Sequence, residues 1–193
     1  MFDLDGKLTA SAAFGDGIEQ VLSTPTGNSW VGYFDEGIFG NLGWNDILGP
    51  EPIGQFGINR FDENLGLVAH APGGLNIASC YALTTDGETA WAYCYTDWDI
   101  IRLDTDGRTT PWSNTIAGAG ALLTRFPHIA LIGGYPPDRN RVVTGVLDGP
   151  DFKPQSTSVL TVDGHQILDG AIFQSRGHEL HAYVDGSWQR SEL

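Results

Sequence analysis

Basic residues are scarce in this chain of 193 residues. Ten Lys and Arg stand against 24 Asp and Glu, for a formal charge of −14. That balance excludes a nucleic-acid partner, because phosphate-backbone binding needs clustered cations. It favours solubility and can attract cations or basic partners. Long apolar runs are also missing. No stretch approaches the roughly 18 residues of a membrane-spanning helix, so no membrane partner is expected. Residues 1–6 lack the basic and apolar regions of a secretion signal. No Asn-x-Ser/Thr acceptor occurs. Cysteines number only two. With no export signal, a reducing, cytoplasmic location is expected, and both thiols are expected to be reduced and buried.

Catalytic signatures are absent as well. The run Gly118-Ala119-Gly120-Ala121-Leu122 lacks the third glycine of a dinucleotide loop and has no helical pattern after it. No P-loop, zinc-finger spacing or Gly-x-Ser-x-Gly occurs, so nucleophilic catalysis has no visible carrier. Helical periodicity is nearly absent too, since few apolar positions recur at i, i+3, i+4 and i+7.

What is present is punctuation and aromatic strands. The chain holds 26 glycines, and Asp-Gly recurs at Asp5-Gly6, Asp16-Gly17, Asp86-Gly87, Asp106-Gly107, Asp148-Gly149, Asp163-Gly164, Asp169-Gly170 and Asp185-Gly186. Both residues tolerate the left-handed backbone of tight hairpins. Short apolar or alternating runs lie between them, which reads as an antiparallel all-β protein.

The runs also repeat. A turn, an aromatic strand and an acid appear at 24–35, around Trp30, and again at 84–97, around Trp91. Weaker echoes follow at 126–135 and 177–186. A second landmark, a strand ending in an acidic turn, recurs at Asp3, Asp62, Asp104 and Asp148, in steps of 59, 42 and 44 residues. A unit of about 42–44 residues has the size of a four-stranded propeller blade. The spacing predicts a β-propeller of about four four-stranded blades, or alternatively part of a six-bladed ring. Residues 1–193 form one domain in this reading, with an insertion near 37–52 that lengthens the first step. Innermost strands are predicted at 18–24, 77–83, 117–124 and 167–173. Second strands follow at 30–34, 89–95, 129–134 and 179–184. Residues 7–14 are expected to supply a closing outer strand.

The run Trp30-Val31-Gly32-Tyr33-Phe34-Asp35-Glu36-Gly37-Ile38-Phe39-Gly40-Asn41, with Gly15-Asp16-Gly17-Ile18 before it, resembles a group of bacterial β-propeller repeat proteins of unassigned function. Ser79-Cys80-Tyr81-Ala82-Leu83 and Gly133-Gly134-Tyr135 fit the same group. The resemblance covers about residues 3–150. It implies further blades before the point matching Met1, and an Asp where Ser79 stands here. It implies no activity.

Candidate chemistry lies in three places. Asp35 and Glu36 follow an aromatic strand and precede the insertion that carries Trp44, so loop residues on a rigid scaffold are candidates for ligand binding. Adjacent carboxylates there could hold a hard cation such as Ca²⁺, or simply cap a turn. Tyr81, Tyr95 and Asp97 are the corresponding candidates on the second repeat. Glu19, Asn76 and Asp169, at or near the starts of inner strands, could hold one divalent ion in a central channel, as in propellers resembling the gluconolactonases. His178-Glu179-Leu180-His181 is not the His-Glu-x-x-His pattern, and on a strand its two imidazoles diverge. Cys80 and Cys94 lie seven residues either side of Gly87, so a hairpin centred there would set them opposite each other.

The expected function is a non-enzymatic binding or interaction module without a cofactor, its partner a protein or a small molecule. The alternative is a metal-dependent hydrolase or lactonase. Open propeller edges would also allow pairing with a second copy.

Overall fold

The computed structural model describes residues 4–41, 43–45, 49–162, 165–166, 172–184 and 186–192. The chain forms two compact units, Met1–Cys80 and Tyr81–Leu193.

The first unit is built on one antiparallel meander. Its strands are β1 (Ile18–Ser23), β2 (Ser29–Tyr33), β3 (Ile58–Phe61) and β4 (Leu67–His70), paired in chain order. Gly27, at φ 86°, closes the β1–β2 turn, and its N–H donates to Thr24 O at 3.0 Å. All five residues of β2 are buried. Trp30 sits opposite Arg60 on β3, whose guanidinium lies 5.9 Å from the indole centroid. Between β2 and β3 the expected loop begins as a short helix, α1 (Asp35–Phe39). Ile38 is buried from that helix, and its N–H reaches Phe34 O at 3.2 Å, so one buried apolar residue is enough to fold the turn.

The second unit repeats the meander. The strands β5 (Ile77–Asp86, whose first residues belong to the first unit), β6 (Thr89–Thr96), β7 (Asp99–Leu103) and β8 (Thr109–Trp112) pair in order. So do β9 (Ala121–Arg125), β10 (His128–Ile132), β11 (Arg141–Asp148) and β12 (Asp151–Val159). A short pair, β13 (Thr161–Val162) with β14 (His165–Gln166), leads to a three-stranded sheet, β15 (Ile172–Arg176), β16 (Glu179–Val184) and β17 (Ser187–Glu192). Trp91 pairs with Arg102 as Trp30 does with Arg60, and that guanidinium lies 5.7 Å from the indole centroid. The Trp–Arg couple is therefore the shared content of the two aromatic repeats.

Strand alternation explains why β9 and β10 are apolar on both faces. Leu122, Ile129 and Leu131 join Trp91, Tyr93, Ile100, Trp112 and Phe152 in one core. Ala121, Leu123, Ala130 and Ile132 join Leu180 in another. Within the second unit, β5, β9 and β15 meet at their C-terminal ends. Ser175 Oγ donates to Leu83 O at 3.4 Å, Gly177 N–H to Thr84 Oγ1 at 2.8 Å, and Thr124 N–H to Gly177 O at 2.8 Å.

Three local expectations change. The third inner strand begins at Ala121 rather than residue 117, because Gly118 stands at φ 75° and turns the chain before it. Residues 9–15 form no strand, and Leu8 makes only a single bridge. Part of the predicted inner strand 167–173 falls outside the described residues, and the described part runs on to Arg176. The outer strand β12 carries Lys153 and Pro154 and is exposed from Lys153 to Val159, a composition that discourages edge pairing.

Candidate functional site

The site grows from the β6–β7 hairpin. Strand β6 alternates so that Trp91, Tyr93 and Tyr95 share one face. Trp91 and Tyr93 are buried, while Tyr95 is 40% exposed at the strand end. The chain then reverses through Asp97 and Trp98. Trp98 stands at φ 65°, in the left-handed region where a bulky side chain is a real outlier. Its ring stacks on Tyr93, with centroids 5.4 Å apart and planes at 22°. Its carbonyl accepts from Asn114 Nδ2 at 3.1 Å. Asn114 is buried and also binds Ile116 through both its amide and its carbonyl, so the turn is held from beneath.

Three further rings gather on Trp98. Tyr95 lies 5.0 Å away at 55°, Tyr81 from β5 lies 5.0 Å away at 86°, and Tyr135 from the β10–β11 connection lies 6.0 Å away at 73°. The Tyr81 and Tyr135 contacts are edge-to-face, one of the preferred arrangements of aromatic quadrupoles, and that of Tyr95 is tilted. The Tyr81 and Tyr135 hydroxyls are hydrogen-bonded at 2.8 Å. Tyr135 is 50% exposed.

The support beneath is close-fitting. A Cβ on Gly118 would lie 2.9 Å from the Tyr135 ring. Tyr93 Oη donates to Ile116 O at 2.6 Å, and burial raises the Tyr93 phenol far above its ordinary range. Arg141 donates to Ala117 O at 2.7 Å and Gly133 O at 3.2 Å, and pairs with Asp138 at 3.2 Å. The result is a partly exposed aromatic cluster on a fixed floor.

Two of the sequence candidates, Tyr81 and Tyr95, thus come together, 6.2 Å apart. Asp97 is exposed in the same turn. Asp99 pairs with Cys94 and lies on the opposite sheet face from Tyr93 and Ile100. Shielding from water, and secondarily the Asp97 charge, raise the Asp99 carboxyl above its ordinary 3.8. Such a carboxyl holds its proton more tightly in the folded chain than in the unfolded one. Stability therefore falls as pH climbs from the ordinary value through the raised one. Asp99→Asn is expected to raise Tm near pH 7 and to leave it almost unchanged at about pH 3, where both states are protonated. Scanning calorimetry at the two pH values checks this.

The other candidates lie elsewhere. Asp35 and Glu36 are exposed in the first turn of α1, and Asp35 Oδ1 accepts the Glu36 N–H at 2.9 Å. Negative charge suits that N-terminal end of the helix. Trp44 is half-buried in the following segment. Glu19 is exposed on β1, yet partial shielding of its carboxyl raises it above the ordinary carboxylate value. Asn76 is exposed before β5. Asp169, the third member of that metal set, lies outside the described residues.

In the His-Glu-Leu-His run, His178 sits in the β15–β16 turn while Glu179, Leu180 and His181 open β16. Ligand atoms of His178, Glu179 and Glu192 gather within 4.8 Å of one another. Arg190 already binds both carboxylates, Glu179 closely and Glu192 at 3.0 Å, and His181 lies 3.2 Å from Glu179. Partial burial would raise the Glu179 carboxyl, but the His181 and Arg190 contacts outweigh it and lower it. A cation there would have to displace the guanidinium. Cys80 and Cys94 are both buried thiols that no disulfide joins.

No family profile matches the chain, and neither does any curated protein. Among solved structures, a catalytically inactive virginiamycin B lyase from Staphylococcus aureus with quinupristin superimposes with a TM-score of 0.52, at 12% identity, over 100% of this chain and 61% of that one. The fold is a β-propeller. BamB from Moraxella catarrhalis has a TM-score of 0.42 at 11% identity, covering 97% of this chain and 54% of that one. A luciferin-regenerating enzyme has a TM-score of 0.44 at 13% identity, covering 86% and 53%. The chain spans less than two thirds of each of these structures. The likeness is one of fold, and fold alone carries no activity.

In propeller terms, Trp98 and Tyr135 belong to the second-to-third-strand connections of successive blades. Neither is among the sequence candidates. Trp98 fills a left-handed position in the β6–β7 turn, where Gly or Asn is the ordinary choice. Tyr135 has only its Gly133-Gly134 context.

Proposed function

We propose that this propeller is a binding module whose ligand seat is the cluster of Tyr81, Tyr95, Trp98 and Tyr135. The observation that carries the reading is Trp98. Its backbone conformation costs about 1–3 kcal/mol for a residue other than glycine, and such outliers concentrate at functional sites. A residue needed only to turn the chain would be Gly or Asn. Here a large ring stands there instead, partly exposed, with three tyrosines against it. Tyr and Trp supply large contact area at low entropic cost, which is why they dominate binding hot spots. The partner is a peptide or a small molecule. No described helix is long and apolar enough to cross a membrane. A cytoplasmic setting would keep Cys80 and Cys94 as thiols.

The test is Trp98→Gly. The substitution relieves the left-handed backbone while removing the ring, so the unfolding free energy is expected to stay within about 2 kcal/mol of the native value. On a peptide and carbohydrate microarray, signals given by the native chain are expected to disappear with the variant. An unchanged set of signals would contradict the reading.

A further inference from the structure

Resting on the aromatic cluster as a ligand seat, we infer that its occupant is an arginine side chain of a basic peptide. The fold itself shows what it places on its tryptophan faces. Arg60 lies 5.9 Å from the centroid of Trp30, and Arg102 lies 5.7 Å from that of Trp91 and 5.9 Å from that of Phe126. Among the described residues, no Arg or Lys lies over Trp98, Tyr95 or Tyr135 in the same way. The guanidinium on the adjoining β11, Arg141, is taken up by Ala117 O, Gly133 O and Asp138. Trp98, Tyr95 and Tyr135 therefore present electron-rich rings on which no guanidinium of the described residues is stacked.

Charge points the same way. The chain carries a formal −14, and Asp97 is exposed beside Trp98. A negative field gathers basic partners and raises their encounter rate. Ring faces attract cations, and a planar guanidinium can stack on an indole or phenol while its N–H groups reach hydroxyl or carboxylate oxygens. The Tyr81–Tyr135 hydroxyl pair offers such acceptors, and the Asp97 charge lies in the same turn as Trp98. A neutral sugar would use the ring faces but gain nothing from the charge. A compact ammonium would use the charge but not the flat stacking.

The probes are three octapeptides alternating glycine with arginine, with lysine, or with citrulline, the uncharged isostere of arginine. Binding to the full chain is followed by the fluorescence and NMR signals of the Trp98 indole. The arginine peptide is expected to bind about tenfold more tightly than the citrulline peptide, and measurably more tightly than the lysine peptide. Trp98→Leu and Tyr95→Leu are each expected to weaken it several-fold, while Trp188→Leu, a change on the exposed β17, leaves it unchanged. Equal binding of arginine and lysine peptides, insensitive to Trp98→Leu, would mean bulk charge attraction alone and overturn the inference. Equal binding of arginine and citrulline peptides, still weakened by both ring substitutions, would overturn the cation while leaving the aromatic seat standing. Tight arginine binding untouched by both ring substitutions would remove the seat as well.

Discussion

Trp91→Ala is expected to destabilise the second unit by about 3–5 kcal/mol, the usual loss for a large aromatic side chain cut from a core. Trp91 is 2% exposed and stacks on Trp112 with centroids 5.7 Å apart and planes at 20°. Phe126 covers it from 5.9 Å, and Arg102 lies over its face. Removing the indole opens a cavity between two sheets, because Ile129, Leu131 and Phe152 belong to the same cluster. It also takes from Arg102 one of its ring contacts and leaves it Asp104, at 2.8 Å, and the exposed Phe126 ring among the described residues. Urea unfolding followed by circular dichroism measures the loss. Trp188→Ala is the comparison. That ring is 65% exposed on β17, and its removal is expected to change stability by no more than about 0.5 kcal/mol. Similar losses at both positions would contradict the layered packing described for these sheets.

Gly17→Ala is expected to cost about 3 kcal/mol, combining backbone strain with overpacking. Gly17 stands at φ 56°, and a methyl group added there would collide with the Gly37 backbone nitrogen and lie 2.6 Å from its Cα. Those atoms are backbone and cannot rotate away. Gly37 is equally confined, since its own methyl would meet Asp16 O and Gly17 O. The two glycines thus let α1 lie against the segment that opens β1, where Phe34 N–H donates to Gly17 O at 2.9 Å. Gly107→Ala separates the two contributions. It has φ 85° and nothing within 4 Å of an added methyl, so only strain remains, about 1 kcal/mol. Equal effects of the two substitutions would show that the close approach of Gly17 and Gly37 contributes nothing.

The repeat is legible because its physics is local. Aromatic second strands, Asp-Gly turns and a near-constant step announce antiparallel meanders without any tertiary information. Strands β2, β6 and β16 fall within a residue or two of their predicted positions for that reason. The helix α1 is not legible, because Asp35-Glu36-Gly37-Ile38-Phe39 is too short to show a helical period and forms around one buried side chain, Ile38. The start of β9 is hidden because Gly118 bends the chain under Tyr135, a long-range requirement. The candidate site is half visible. Tyr81 and Tyr95 stand out as aromatics on repeat strands. Their meeting with Trp98 and Tyr135 depends on a hairpin turn and on the next blade's connection, which no pattern within one repeat contains. Asp35 and Glu36 draw attention as a pair of adjacent acids, and both stand exposed in the first turn of α1.

The aromatic seat is tested most directly by a two-dimensional NMR titration of the chain with the arginine octapeptide, following backbone amides and indole N–H signals together. The largest shifts are expected at the Trp98 indole and at the amides of Tyr95, Asp97 and Tyr135, with the α1 segment Asp35–Phe39 unmoved. Shifts centred on α1 or on the His178–Glu179 turn, with the Trp98 indole unchanged, would contradict the account.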